Sequence, residues 1–247
     1  MVKISNLVVF FKKSFKLFAH FFGVELSGYN IYSSEDLLLQ TILKHFKITT
    51  VIDVGANEGQ YALGLISNGF KGKIFSFEPI AIIFHKLSKA AERHNGWSTF
   101  NLGIGEKEDE ISINVSENFV SSSILEINQT SIAAESKSRF THQERIRMTS
   151  LDSFFANVNI IHEDTLLKLD IQGFELNALR GAKKSLPWIK VIQIELSFVQ
   201  LYKGSPLFQE VTDFLKKEGF EIFTIIPGFR NAQTGQMLQA DGIFVRS

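Results

Sequence analysis

The run Val51-Ile-Asp-Val-Gly-Ala-Asn-Glu-Gly-Gln60 constrains this chain more than any other. A β-branched apolar stretch stops at Asp53-Val54, glycines follow at 55 and 59, and an apolar-periodic segment resumes at once. That is the sequence form of a buried strand turning directly into a helix. Glycines at such a bend allow a left-handed backbone and let it approach a ligand closely. The N–H groups at the helix start then face that ligand. Glu78 stands 25 residues after Asp53, at the end of the next strand-like run, KIFSF over residues 73–77. A carboxylate there can accept hydrogen bonds from both hydroxyls of a ribose. Loop and acid together read as a nucleoside site.

Charge discriminates between nucleosides. A pyrophosphate cradle calls for G-x-G-x-x-G. Here the spacing is Gly55-Ala-Asn-Glu-Gly59, with Asp53 beside it. An acid at this turn disfavours a pyrophosphate and suits a cation. S-adenosylmethionine carries a sulfonium and an α-amino group and has no phosphate, so it fits better than NAD or ATP. An NAD-linked oxidoreductase on a similar sheet is the rival enzyme, and the glycine spacing argues against it. A non-catalytic scaffold or interaction module is the rival from another class. The pairing of Asp53 with Glu78 argues against that.

Strands are predicted over residues 49–54, 73–77 and 97–102, with helices over 57–67 and 82–94 between them. The alternation returns with strands over 166–171, 191–196, 220–226 and 242–246 and helices over 174–184 and 206–218. It implies six or seven strands in one mainly parallel sheet, covered by helices. Residues 111–115 alternate as a further strand, and 151–155 read as a short helix. Residues 117–147, rich in Ser, Asn, Gln and charge with little period, read as an insertion over the sheet's carboxyl end that could act as a lid. Ser34-Glu35-Asp36 opens another helix, with Ser34 as its cap. The expected organisation is an amphipathic N-terminal helix and connector over residues 1–30, then one α/β domain over 31–247 with the insertion at about 117–147.

The N-terminus needs its own account. The chain holds 24 Phe against 4 Tyr and 2 Trp, and several lie within residues 3–22. Ile4, Leu7, Val8, Phe11, Phe15, Phe18 and Phe22 recur at helical spacing, while Lys3, Lys12, Lys13, Lys16 and His20 add positive charge. Such a helix docks on the chain's own core or on a second subunit, as in a homodimer, or lies Phe side down on an anionic membrane surface. No apolar run approaches the roughly 20 residues that cross a bilayer, and a secretory signal fits poorly. The expected location is cytoplasmic, with peripheral contact at the inner face of a membrane under the second alternative. With 26 basic and 26 acidic residues the formal charge is zero, so no nucleic-acid partner is expected. The absence of cysteine excludes disulfides, zinc-thiolate sites and a thiol nucleophile.

Five ordered motifs resemble those of FkbM-type methyltransferases. They are Asp53-Val-Gly-Ala-Asn-Glu-Gly-Gln60, Phe77-Glu-Pro79, Leu167-Lys-Leu-Asp-Ile-Gln-Gly-Phe-Glu175, Ile194-Glu-Leu-Ser-Phe198 and Ala240-Asp-Gly-Ile-Phe-Val-Arg246. The resemblance covers roughly residues 35–246. It implies a Rossmann-like class I methyltransferase fold: a seven-stranded, mostly parallel sheet with its last strand antiparallel and helices on both faces. It implies S-adenosyl-L-methionine as cofactor and transfer usually to oxygen, on sugar hydroxyls and secondary metabolites. By the same resemblance Asp53, Gly55, Asn57 and Gly59 match the cofactor loop, and Glu78 matches the ribose acid. Asn101, Leu102 and Gly103 match the adenine side. Asp170 matches a position near the methyl group.

An alcohol is a poor nucleophile, so a base or a metal must help remove its proton. Candidate bases are Asp170, Glu175 and Glu195. His142 and His162 have suitable ordinary pKa values but fall in the insertion and a predicted loop. Asp170 is best placed, because ligands bind at strand carboxyl ends in open α/β sheets. Glu175 also reads as a first-turn helix acid. Asp170, Glu175, Glu195 and Asp241 could together hold a divalent metal, but no recognised ligand spacing supports one, and a metal-free site is expected. Ser121, Ser122 and Ser123 read as loop serines or as acceptor contacts.

Overall fold

The computed structural model describes residues 13–26, 29–158 and 164–246. The chain divides into two compact units, Met1–Thr41 and Ile42–Ser247. In the first, residues 13–21 form a helix, α1. Residues 3–12 of the predicted amphipathic helix lie outside the described residues. Phe18 and Phe22, four positions apart, bring their rings edge to face with centroids 5.1 Å apart. Helix α2 (Glu35–His45) starts where expected: the Leu37 N–H donates to Ser34 Oγ at 3.3 Å, and Glu35 and Asp36 lie in the first turn. No helix among the described residues is long and apolar enough to cross a membrane.

In the second unit the chain winds outward through β1 (Thr50–Val54), α3 (Gln60–Ser67), β2 (Lys73–Phe77), α4 (Ala81–Ala91) and β3 (Trp97–Phe100). It then leaves the main sheet. β4 (Gly103–Ile104), β5 (Asp109–Ser116), α5 (Gln129–Ala134) and β6 (Phe140–Thr149) follow, and the three strands make a second sheet in the order β4-β6-β5. After α6 (Leu151–Asn157) the chain re-enters beside β1. β7 (Thr165–Leu169), α7 (Glu175–Arg180), β8 (Ile189–Ser197), α8 (Phe208–Lys217), β9 (Phe220–Pro227) and β10 (Gln239–Arg246) complete it. The main sheet has seven strands in the order β3-β2-β1-β7-β8-β10-β9. β1, β2, β3, β7 and β8 pair in parallel, and β10 runs antiparallel to both its neighbours. This is the expected Rossmann-like sheet.

Both central strands, β1 and β7, are buried along their whole length, as a sheet covered on both faces requires. Ile52, Val54, Leu167, Leu169, Ile192 and Ile194 belong to the main core. Part of the phenylalanine excess closes that core: Phe154 on α6 meets Phe77 and Phe100 edge-on, with centroids 4.8 and 4.9 Å apart. Strand order reverses between β1 and β7, so a crevice opens outside their carboxyl ends.

The structure departs from the sequence reading in three places. The third strand stops at Phe100, and Gly103-Ile104 crosses to the second sheet. The stretch read as unpatterned ends in a ten-residue strand, β6, paired antiparallel along β5. Its solvent face is polar, which masks the alternation. Helix α7 ends at Arg180 with Gly181 as its C-cap, where an added Cβ would lie 2.0 Å from the Gly105 carbonyl oxygen.

Candidate active site

The loop after β1 is shaped by its neighbours as much as by any ligand. Gly55 has φ +76°, and a Cβ on it would lie 1.9 Å from the Asp170 carbonyl oxygen. Its missing side chain lets the ends of β1 and β7 touch. Gly59 has φ +93°, and a Cβ there would press into the Trp97 ring at 2.6 Å. Asn57 also takes a left-handed backbone, at φ 48°, a conformation asparagine tolerates. Its N–H donates to Glu78 Oε2 at 3.0 Å, and the Ile80 N–H donates to Glu78 Oε1 at 2.9 Å. Glu78 is buried, and burial outweighs these hydrogen bonds and pushes its pKa up to about 7. Asn101 secures the same corner, donating Nδ2 to the Glu78 and Pro79 carbonyls at 3.0 and 2.9 Å.

Asp53 lies beneath this loop, 0% exposed, in register with Ser76 on β2 and Lys168 on β7. Trp97 Nε1 donates to Ser76 Oγ at 2.9 Å, and Ser76 Oγ donates to Asp53 Oδ2 at 3.2 Å. Asp53 Oδ1 sits 3.3 Å from Lys168 Nζ, a charge contact without hydrogen-bond alignment. Lys168 Nζ donates to the Gly55 carbonyl at 3.0 Å and lies 3.6 Å from Asp170 Oδ2. Burial favours the neutral amine, but Asp53 and Asp170 outweigh it and hold the Lys168 pKa above the ordinary value. Tyr61 on α3 lies over this ammonium, 5.6 Å from it, and donates its hydroxyl proton to Gln193 Oε1 at 2.8 Å. A buried polar stripe thus crosses the sheet and fixes both the loop after β1 and Asp170.

The three expected carboxylate bases are separated by their hydrogen bonds. Asp170 Oδ1 accepts Gln172 Nε2 at 2.8 Å. Glu175 is buried, and its Oε1 accepts the Ile171 and Gly173 N–H groups at 3.0 and 3.1 Å. It staples the turn before α7, and burial raises its pKa to about 7 despite those bonds. Glu195 Oε2 accepts Gln172 Nε2 at 3.1 Å, so the amide stands between Glu195 and Asp170. Burial, with the charges of Asp170, Glu175 and Asp241, raises the Glu195 pKa well above the usual carboxylate range. Among the described residues no group of three or more His, Cys, Asp or Glu is arranged to hold a metal ion. His142 is exposed on β6 and pairs with Thr141. His162 lies outside the described residues.

A cleft of about 680 Å³, its solvent mouth included, lies between the carboxyl ends of β1, β2 and β7 and the second sheet. Gly55, Asn57, Glu78, Gly103 and Asp170 line it; Asp53, Gly59, Asn101, Glu175 and Glu195 are not among its lining residues. Phe119, Val120, Ser122 and Ile124, from the predicted insertion, form one wall. Ile104, Ile113 and Ile146 of the second sheet form another.

The family described as Methyltransferase FkbM domain matches residues 53–222, more than half of the chain. The chain belongs to that family. It is therefore a methyltransferase, and its cofactor is S-adenosylmethionine. A curated relative, Methyltransferase 1 of Beauveria bassiana, is 24% identical over 183 residues, covering 70% of this chain and 72% of its own. AMB antimetabolite synthetase AmbE of Pseudomonas aeruginosa is 28% identical over 210 residues, covering 70% of this chain but 9% of its own. Among solved structures, Aeropyrum pernix fibrillarin, in complex with natively bound S-adenosyl-L-methionine, gives a TM-score of 0.46 at 12% identity. It covers 88% of this chain and 76% of its own.

The cleft of this FkbM-domain methyltransferase fits that cofactor on chemical grounds. Its lining contains two carboxylates, Glu78 and Asp170, and no Lys, Arg or His. That charge set suits a cation without phosphate and opposes a dinucleotide. The sequence reading did not single out Lys168, Gln172 or Tyr202 as site residues. Lys168 did leave a signal, a lone charge inside the apolar strand TLLKL, since a buried charge needs a partner. Tyr202 left none.

Proposed function

We propose that this methyltransferase delivers the methyl group to a hydroxyl of a sugar, glycan or secondary metabolite, with Asp170 as the general base. The observation that supports this most is the cleft lining: Asp170 is the carboxylate at the β1–β7 crevice with a half-exposed side chain, while Glu175 and Glu195 are turned into hydrogen bonds behind it. Bound S-adenosylmethionine supplies a methyl group on a sulfonium, whose transfer leaves a neutral thioether. Glu78 would accept the ribose hydroxyls, and Leu102 and Ile104 would flank the purine. Asp170 would orient the acceptor hydroxyl and take its proton on a carboxylate oxygen as the new C–O bond forms. The Lys168 ammonium, 3.6 Å from Asp170 Oδ2, attracts that carboxylate from beneath the loop. The apolar walls exclude water that would compete for the methyl group.

The first test is calorimetric titration with S-adenosylhomocysteine, with NAD as control. Saturable binding of the first alone is expected. Binding of NAD instead would revive the oxidoreductase, and binding of neither would favour a scaffold. Transfer is then followed with methyl-labelled S-adenosylmethionine across a panel of glycans and hydroxylated metabolites. Asp170→Asn is expected to bind S-adenosylhomocysteine like the parent but to transfer methyl about 10²–10⁴-fold more slowly. Undiminished transfer removes Asp170 as the base.

A further inference from the structure

Gln172 has a backbone that a glutamine does not choose. Its φ is 53°, in the left-handed region where side chains other than glycine are costly. A glycine would fit there without strain, yet the chain keeps a long side chain, and every polar group of that residue's side chain is engaged. Gln172 Nε2 donates to Asp170 Oδ1 at 2.8 Å and to Glu195 Oε2 at 3.1 Å. Gln172 Oε1 accepts the Tyr202 hydroxyl at 2.8 Å. The same Tyr202 hydroxyl is shared with the Ser121 carbonyl at 3.0 Å, and Ser123 Oγ donates to the Gln172 carbonyl at 2.7 Å.

The amide's orientation follows from these partners. The Asp170 carboxylate, 3.6 Å from the Lys168 ammonium, accepts, so the amide nitrogen faces it and Glu195 Oε2 while the amide oxygen faces the phenol. Asp170 then has a neutral donor on Oδ1 and the Lys168 ammonium 3.6 Å from Oδ2. Strain held at a site rim, with the side chain fully committed, points to a use for that side chain. We infer that Gln172 is a positioning residue, whose amide aims the Asp170 carboxylate into the cleft and links it through Tyr202 and Ser123 to the wall segment 121–124. The inference rests on the reading of Asp170 as the base.

Asp170 is held between two donors. The Lys168 ammonium lies 3.6 Å from Oδ2, and the Gln172 amide donates to Oδ1 at 2.8 Å. Losing the amide therefore leaves Oδ1 without that donor and frees the carboxylate to turn toward Lys168.

The experiment is ¹³C NMR of the Asp170 carboxyl at one fixed pH in protein labelled at aspartate, with the signal assigned by its loss in Asp170→Asn. Gln172→Gly relieves the backbone and removes the amide. Its thermal midpoint should not fall, while the Asp170 carboxyl resonance should move away from its parental position as Oδ1 loses its donor. Tyr202→Phe removes the phenol that orients the amide and leaves the Gln172 backbone intact, which keeps the test decisive if Gln172→Gly misfolds. A smaller displacement of the same resonance is expected. An unchanged Asp170 resonance in the folded variants would overturn the inference. S-adenosylhomocysteine titration of the parent reports separately on the cofactor reading. A parent that binds none, while the variants still shift, would leave the positioning of Asp170 supported and the cofactor reading overturned.

Discussion

The Glu78 carboxylate accepts the Asn57 and Ile80 N–H groups at 3.0 and 2.9 Å, and burial pushes its pKa up to about 7. One side chain thus holds the loop after β1 to the next strand's end and offers its remaining lone pairs to the cleft. Hydroxyl donors of a ribose favour the ionised form, so S-adenosylhomocysteine affinity should rise as pH increases through about 7. In Glu78→Gln one oxygen becomes an NH₂ that faces a backbone N–H. Affinity should fall about 10–100-fold at pH 8, since a hydrogen bond to a charged group is worth about 1.5–3 kcal/mol. The pH dependence should flatten. Calorimetry across pH 6–8 checks both outcomes, and an unchanged affinity would take Glu78 out of the site.

At the level of elements, the contact between the ends of β1 and β7 matters most. A Cβ at Gly55 would lie 1.9 Å from the Asp170 carbonyl oxygen, and its φ of +76° already suits glycine alone. Gly55→Ala should cost on the order of 3 kcal/mol or more, because two central strand ends must part. Gly64 in α3 is the internal control, with nothing within 4 Å of an added Cβ. Gly64→Ala should stabilise by about 0.5–1 kcal/mol through helix propensity. Urea unfolding of both variants separates packing from propensity. Equal effects would mean that the β1–β7 contact is not tight in solution.

On the scale of the whole molecule, buried acids tie stability to pH. Glu78 and Glu175 each ionise near pH 7 in the fold and about two and a half units lower in the unfolded chain. Between those values the native state binds more protons, so stability is greatest at the acid end and is lost as pH rises from about 4.5 to about 7. Glu175→Gln keeps an oxygen for the Ile171 and Gly173 N–H groups and removes the buried charge. It should raise stability by about 1–3 kcal/mol at pH 8 and change little at pH 5. Denaturant unfolding at the two pH values is the check. The sequence alone determined the alternation of strands and helices, the acidic glycine loop and the acid 25 residues on, because these are local patterns of burial, turn geometry and charge. It also made Asp170 a candidate, as a residue at a strand's carboxyl end. Long-range packing decided the rest. Which carboxylate faces the cleft depends on how β1, β7 and β8 align. The pairing of Asp53 with Lys168 and the bridging of Asp170 to Glu195 by Gln172 join residues far apart in the chain or across strands. Such partners are chosen by strand order and register, which no local pattern encodes.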